Sequence, residues 1–164
     1  MTELTFTVDA PVLPKAVVGA LTDFSERRPE IWPDLDPEIY RVDELRATSA
    51  VVREGQRKPK LWAIEEYDWS TPGTVTWTAR ESNFCAPGSF MSARVEPGAA
   101  GSRVHVTWSR SGVGLKGRMI VGLMRLTRGR PLAKSLEKAL SRLAAPEAPG
   151  DLAPVKRPSP RADT

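Results

Sequence analysis

TVTWTARESNFCAPGSFMSARVEPGAAGSRVHVTWSR, residues 74–110, is the stretch that decides the fold. It contains three short runs in which Val75, Trp77 and Ala79, then Met91, Ala93 and Val95, then Val104, Val106 and Trp108 alternate with polar neighbours. Side chains two apart on a strand share a face, so each run predicts a strand with one apolar and one wet side. Pro87-Gly88 and the glycine-rich segment from Gly98 to Gly101 separate the runs with turn chemistry, which suits antiparallel hairpins.

Moving toward the amino terminus, the same spacing continues. Runs at 39–45, 48–54 and 61–69 are strand-like, with turns around Gly55 to Pro59 and at Ser70-Thr71-Pro72-Gly73. Leu4, Phe6 and Val8 alternate with Thr5 and Thr7 in a first strand. Asp9-Ala10-Pro11 then reads as a helix entrance with Asp9 as cap, and Ala16, Val17, Ala20, Leu21 and Phe24 fall on one helical face ending near Asp23. A second short helix runs from a cap at Ser25 to about Trp32, where Pro33 stops it.

Toward the carboxy terminus, residues 115–143 are helical, but the apolar stripe changes phase. Leu115, Met119, Leu123 and Leu126 define one face, and Leu132, Leu136, Ala139, Leu140 and Leu143 nearly the opposite one. One straight helix cannot bury both, so Gly129-Arg130-Pro131 is the expected break, with proline a good first-turn residue for the long terminal helix. Beyond Ala145 the chain turns Pro-rich and polar, the composition of a disordered tail over 146–164.

The 164 residues, 40% apolar, suit one domain spanning 1–145 with a single core and a modest cavity. No run approaches the roughly 20 apolar residues of a membrane span, and Glu3, Thr5, Thr7 and Asp9 interrupt any leader-like run, so a cytoplasmic protein is expected. With Cys85 the only cysteine and His105 the only histidine, an intramolecular disulfide and a Cys/His zinc centre are excluded. The net charge of +4 concerns encounter with acidic partners rather than fold.

The order strand, two short helices, about six antiparallel strands and long terminal helix resembles the START-like, helix-grip superfamily, also called SRPBCC, with its polyketide cyclase and dehydrase-like members. The stretch from Asp9-Ala10-Pro11 to Ala20-Leu21-Thr22-Asp23-Phe24, followed by Arg28-Pro29-Glu30-Ile31-Trp32-Pro33, is similar to that family's opening, and Gly114-Leu115-Lys116-Gly117-Arg118 to its terminal helix entrance. The resemblance implies an α+β fold, a curved antiparallel sheet of about seven strands wrapped around a long C-terminal helix. It also implies binding of lipids, sterols, polyketides or other aromatics, with cyclisation or dehydration in some members. It brings no fixed catalytic set.

Several residues compete for roles. Gly112-Val113-Gly114-Leu115-Lys116-Gly117 matches G-x-G-x-x-G, but no second parallel strand follows, so it reads as a strand-to-helix turn. His105 shares parity with Arg103 and Thr107 and faces water, and Cys85 reads as a small turn or core residue. Trp32, Trp77, Met91, Val95, Trp108, Met119 and Leu123 are the candidate lining of a pocket, with plain core packing as the competing account. An empty cavity of roughly 300 Å³ would cost on the order of 7 kcal/mol, so a real pocket should hold water or ligand. By parity Glu81 extends Val75-Trp77-Ala79 and Arg110 extends Val104-Val106-Trp108. Both are candidate catalytic or orienting groups, Arg110 toward a carboxylate or phenolate and Glu81 as proton acceptor, although strand-end charges more often reach solvent. Tyr67 is a further hydroxyl candidate on a strand of ambiguous parity.

Lys116, Arg118, Arg125, Arg128, Arg130, Lys134, Lys138 and Arg142 stand against Glu137 alone on the terminal helices. This stripe is a solvated face or a weak contact for an anionic membrane, and nothing resembles a base-reading motif for specific nucleic-acid binding. The expected function is binding of a small hydrophobic or aromatic molecule between sheet and terminal helix, without metal or nucleotide cofactor. The alternatives are a polyketide cyclase, aromatase or dehydratase, and a basic module at membrane or nucleic-acid surfaces.

Overall fold

The computed structural model describes residues 3–145, so the expected tail at 146–164 lies outside the described residues. In chain order the elements are β1 (Glu3–Ala10), α1 (Pro14–Leu21), α2 (Arg28–Ile31), β2 (Arg41–Leu45), β3 (Ser49–Gln56), β4 (Leu61–Asp68), β5 (Thr74–Ser82), β6 (Phe90–Gly98), β7 (Gly101–Ser109), α3 (Gly114–Leu126) and α4 (Arg130–Arg142). The seven strands form one curved antiparallel sheet in the order β1-β7-β6-β5-β4-β3-β2, with the helices closing its inner face, which is the expected helix-grip α+β architecture.

Cross-strand pairing shows why one face is apolar throughout. Trp77 stands opposite Met91 and Tyr67, Ala93 opposite Val75 and Val106, and Val104 opposite Val95 and Val8. Period-two alternation thus carries across five strands, and the buried set Val8, Val52, Val75, Ala93, Val104 and Val106 forms the core floor. Leu21 and Val17 of α1, Val121 of α3 and Leu140 of α4 cover it.

Two local readings are corrected. Asp9 does not cap α1, because β1 continues to Ala10 and Asp9 meets Arg103 at 3.0 Å across the ladder. The helix instead starts after Leu13, with Pro14 supplying a preset φ at the first position. Glu81 does not share the inner face. Ile64 pairs with Glu81 and Glu65 with Ala79, so Arg80 is an extra residue in β5, and this bulge turns Glu81 to the exposed side.

The expected break between the terminal helices is present. Gly129 adopts φ 72°, the left-handed region where glycine has no Cβ penalty, and Pro131 sits in the first turn of α4. The direction of the α3 stripe is the third correction. Leu115, Met119, Leu123 and Leu126 point away from the sheet, and α3 instead seats Gly117 and Val121 inward. A Cβ at Gly117 would overlap the Phe84 carbonyl oxygen, so glycine is what permits this close approach. Met119 and Leu123 therefore do not face the interior.

Candidate functional site

Sheet, helix pair and terminal helix border a partly open cavity of about 490 Å³. Its floor is Tyr67 of β4, Trp77 of β5, Met91 and Ala93 of β6 and Val106 of β7. Leu21 and the segment Trp32–Leu35 form one wall, and Met124, Leu132, Leu136 and Ala139 form the roof. Ser135 of α4 donates a hydrogen bond to Asp34 Oδ2, tying the roof to that wall. The Trp32 indole is fixed by donating Nε1–H to the Ala20 carbonyl oxygen at 3.2 Å.

At one end of this apolar space lies a buried polar triad. Arg28 donates from Nε to Glu54 Oε1, from Nη1 to the carbonyl oxygens of Leu21 (3.1 Å) and Asp23 (3.0 Å), and from Nη2 to the Tyr67 hydroxyl (3.2 Å). Tyr67 donates its own O–H to Glu54 Oε2 at 2.6 Å. Arg28 is 3% exposed, and its guanidinium also lies 4.5 Å from the Phe24 ring centroid, a cation–π arrangement. The Tyr67 ring stacks on Trp77 with centroids 5.5 Å apart and packs edge-on to Phe24 at 4.9 Å.

Burial acts to lower the Arg28 pKa, but the charge of Glu54 and the Tyr67 hydroxyl outweigh it, so the guanidinium is held more firmly protonated than usual. Burial, reinforced by Glu54, pushes the Tyr67 hydroxyl well above its usual value, so it remains a neutral donor. Among the described residues, these hydrogen bonds commit one N–H each at Nε and Nη2 and both at Nη1. One of the five N–H bonds of a guanidinium is then left, at Nη2 beside the tyrosine. The arrangement can grip an oxygen-bearing group and hold a proton between a phenol and a carboxylate.

A second buried pair lies behind the first. Arg110 donates from Nη2 to Glu65 Oε1 at 2.5 Å and from Nη1 to Cys85 Sγ at 3.3 Å. Burial raises the Glu65 carboxyl above its usual value, against the opposing pull of Arg110, and Glu54 adds to the rise. Two arginines and two glutamates are thus buried on the inner side of the sheet, in charge balance.

Of the residues expected at a pocket, Trp32, Tyr67, Trp77 and Met91 border the cavity. Val95 and Trp108 are buried in the core without bordering it, and Met119 and Leu123 stand on the outer side of α3. Arg110 points inward as its parity requires but is committed to Glu65, whereas Glu81 is exposed. Sequence reading missed Arg28, Glu54 and Glu65. Glu54 keeps the parity of Ala50 and Val52, but the apolar neighbour Val51 obscures that alternation. Cys85 is buried and bridges Gly112 at the strand-to-helix turn, while His105 lies on the outer face with Nε2 2.7 Å from Glu96.

No protein-family model matches the chain, and no curated protein matches it by sequence. Solved structures match over most of its length. A Thermus thermophilus protein, TTHA0849, has TM-score 0.68 at 16% identity, covering 88% of this chain and 100% of that one. The ZhuI aromatase/cyclase from Streptomyces sp. R1128 also has TM-score 0.68, at 11% identity, covering 85% of this chain and 93% of that one. A START superfamily protein from Mycobacterium smegmatis has TM-score 0.64 at 14% identity, covering 87% and 97%. Sheet order, helix placement and these likenesses agree, and the chain has the START-like, helix-grip fold.

Proposed function

We propose that this chain binds a small, largely apolar or aromatic molecule in the cavity, with an oxygen-bearing group of the ligand set against Arg28 and Tyr67. The observation that carries this reading is a cavity of about 490 Å³ with an aromatic and aliphatic wall and one buried polar end. Ligand sites are typically roughly 300–1,000 Å³ and combine such walls with a few convergent polar groups. The reading also puts the protein in the cytoplasm; among the described residues no helix is long and apolar enough to cross a membrane.

The test is native mass spectrometry and thermal shift with a panel of aromatic phenols, their hydroxyl-free analogues and fatty acids, on wild type and Ala93→Leu. Ala93 borders the cavity and is 1% exposed, so the larger side chain fills space that ligand would occupy. Binding of at least one phenol, weakened about tenfold or more by Ala93→Leu, is the expected result. Equal binding to both proteins would place the ligand elsewhere and remove this reading.

A second reading, a polyketide-type aromatase, cyclase or dehydratase, is favoured by one observation, the Tyr67 O–H donated to a buried carboxylate beside a guanidinium. There Glu54 and Tyr67 would move the proton of an enolisation and the remaining Arg28 N–H would stabilise the developing oxyanion. The ZhuI protein, named an aromatase/cyclase, supplies the structural parallel. Turnover of a linear poly-β-keto substrate that Glu54→Gln abolishes in a folded protein supports this reading; ligand binding with no turnover leaves only the first.

A further inference from the structure

The outward face of α3 carries four large apolar side chains that no other described residue covers: Leu115 is 80% exposed, Met119 66%, Leu123 57% and Leu126 83%. At about 100° per residue they fall within an arc of about 80°, on the side opposite the inward-facing Gly117, Val121 and Met124. Cations edge the stripe. Arg118 and Arg125 flank one side and Lys116 the other, with Arg128 and Arg130 following the helix, and α3 contains no acidic residue. Among the described residues none of these cations is ion-paired, and Lys116 donates only to the Lys60 carbonyl oxygen at 2.5 Å.

We propose that α3 is an interfacial helix that docks this chain on an anionic lipid bilayer, its leucine and methionine stripe in the headgroup–acyl boundary and its flanking cations on lipid phosphates. Long cationic side chains at the edges of an apolar stripe extend their charge toward the phosphates while their stems join the apolar surface. A second copy of the chain fits less well. Two-fold pairing of the stripes brings Arg118 and Arg125 against cations of the other copy, the same arginines when the helices run antiparallel and Lys116 when they run parallel, with no carboxylate on α3 to receive them. A nucleic acid fits worse, because the centre of the surface is apolar and only its borders are charged. Met124 on the inner side of the same helix borders the cavity, so a docked α3 sets the cavity about one helix diameter, roughly 10 Å, from the lipid.

The test is sedimentation of the full chain with vesicles of phosphatidylcholine alone and with roughly 30% phosphatidylglycerol. Two double variants accompany it, Met119→Ser with Leu123→Ser and Arg118→Glu with Arg125→Glu, all at exposed positions and checked for folding by thermal melting. Expected is binding to the anionic vesicles, weakened about tenfold or more by the serine pair and about twentyfold or more by the charge reversal. Absence of binding to anionic vesicles, or a serine pair that sediments like wild type, overturns the proposal. So does light scattering that finds a wild-type dimer which the serine pair converts to monomer, since a second copy then covers the stripe.

Discussion

Tyr67 and Glu54 share a hydrogen bond of 2.6 Å between Oη and Oε2, while Arg28 bonds to both of them, so three groups from three separate elements close one buried ring of contacts. Tyr67→Phe keeps the ring stacked on Trp77 but removes both bonds made by the hydroxyl. Leaving two buried charged groups one partner short costs about 1–3 kcal/mol. Chemical denaturation of the variant should show a lower midpoint at unchanged slope, and no change would mean that water replaces the hydroxyl without penalty.

The Arg28–Glu54 pair makes a sharper claim about non-additivity. Removing one member of a buried ion pair strands the other and typically costs about 3–5 kcal/mol. Arg28→Met and Glu54→Gln should each be severely destabilised, and the double variant less so than the sum of the two. The double-mutant cycle measures this directly, and simple additivity would contradict a coupled pair.

What could be read beforehand divides along a physical line. The period-two alternation of β5, β6 and β7 depends only on near neighbours, and it named the inner face from Val75 to Trp108. The Gly129-Pro131 break was equally local. Glu81 failed because parity counting does not register an extra residue, and Arg80 is one. The α3 stripe failed because periodicity identifies a face without saying which way it points. That choice was made by the contact of Gly117 with Phe84, 33 residues apart in sequence. Arg28, Glu54 and Glu65 were invisible for the same reason. A charge reads as surface until its partner is known, and the partners of Arg28 and Arg110 lie 26 and 45 residues away.

Two glycines of α3 should respond to alanine with opposite signs. At Gly117 the new methyl overlaps the Phe84 carbonyl oxygen, which belongs to backbone and cannot step aside, so Gly117→Ala should lose about 1–3 kcal/mol or more. At Gly122 nothing lies within 4 Å of the added Cβ and the position is exposed, so Gly122→Ala should gain about 0.4–1 kcal/mol through helix propensity and a less flexible unfolded chain. Thermal melts of the two variants should move to opposite sides of wild type, and a stabilised Gly117→Ala would mean that α3 is not held against Phe84.

Glu65 should give stability an unusual dependence on pH. Burial raises its carboxyl above the usual 4.5, so the folded chain binds that proton more tightly than the unfolded chain. The associated stability is fully present below about 4.5 and is lost as pH rises through the raised folded value, the reverse of an ordinary salt-bridged carboxylate. Arg110 stays charged throughout, being held more firmly protonated than usual once Glu65 and Cys85 outweigh its burial, so it adds a constant offset. Glu54 and Arg28 also act on Glu65, with opposite signs, and are present in both proteins of the comparison. The stability of wild type minus that of Glu65→Gln should therefore fall as pH is raised from 4.5 toward neutrality. Denaturation curves of the two proteins across that window measure the difference, and a difference that instead grows with pH would show that Arg110 overcomes burial and holds the carboxylate ionised.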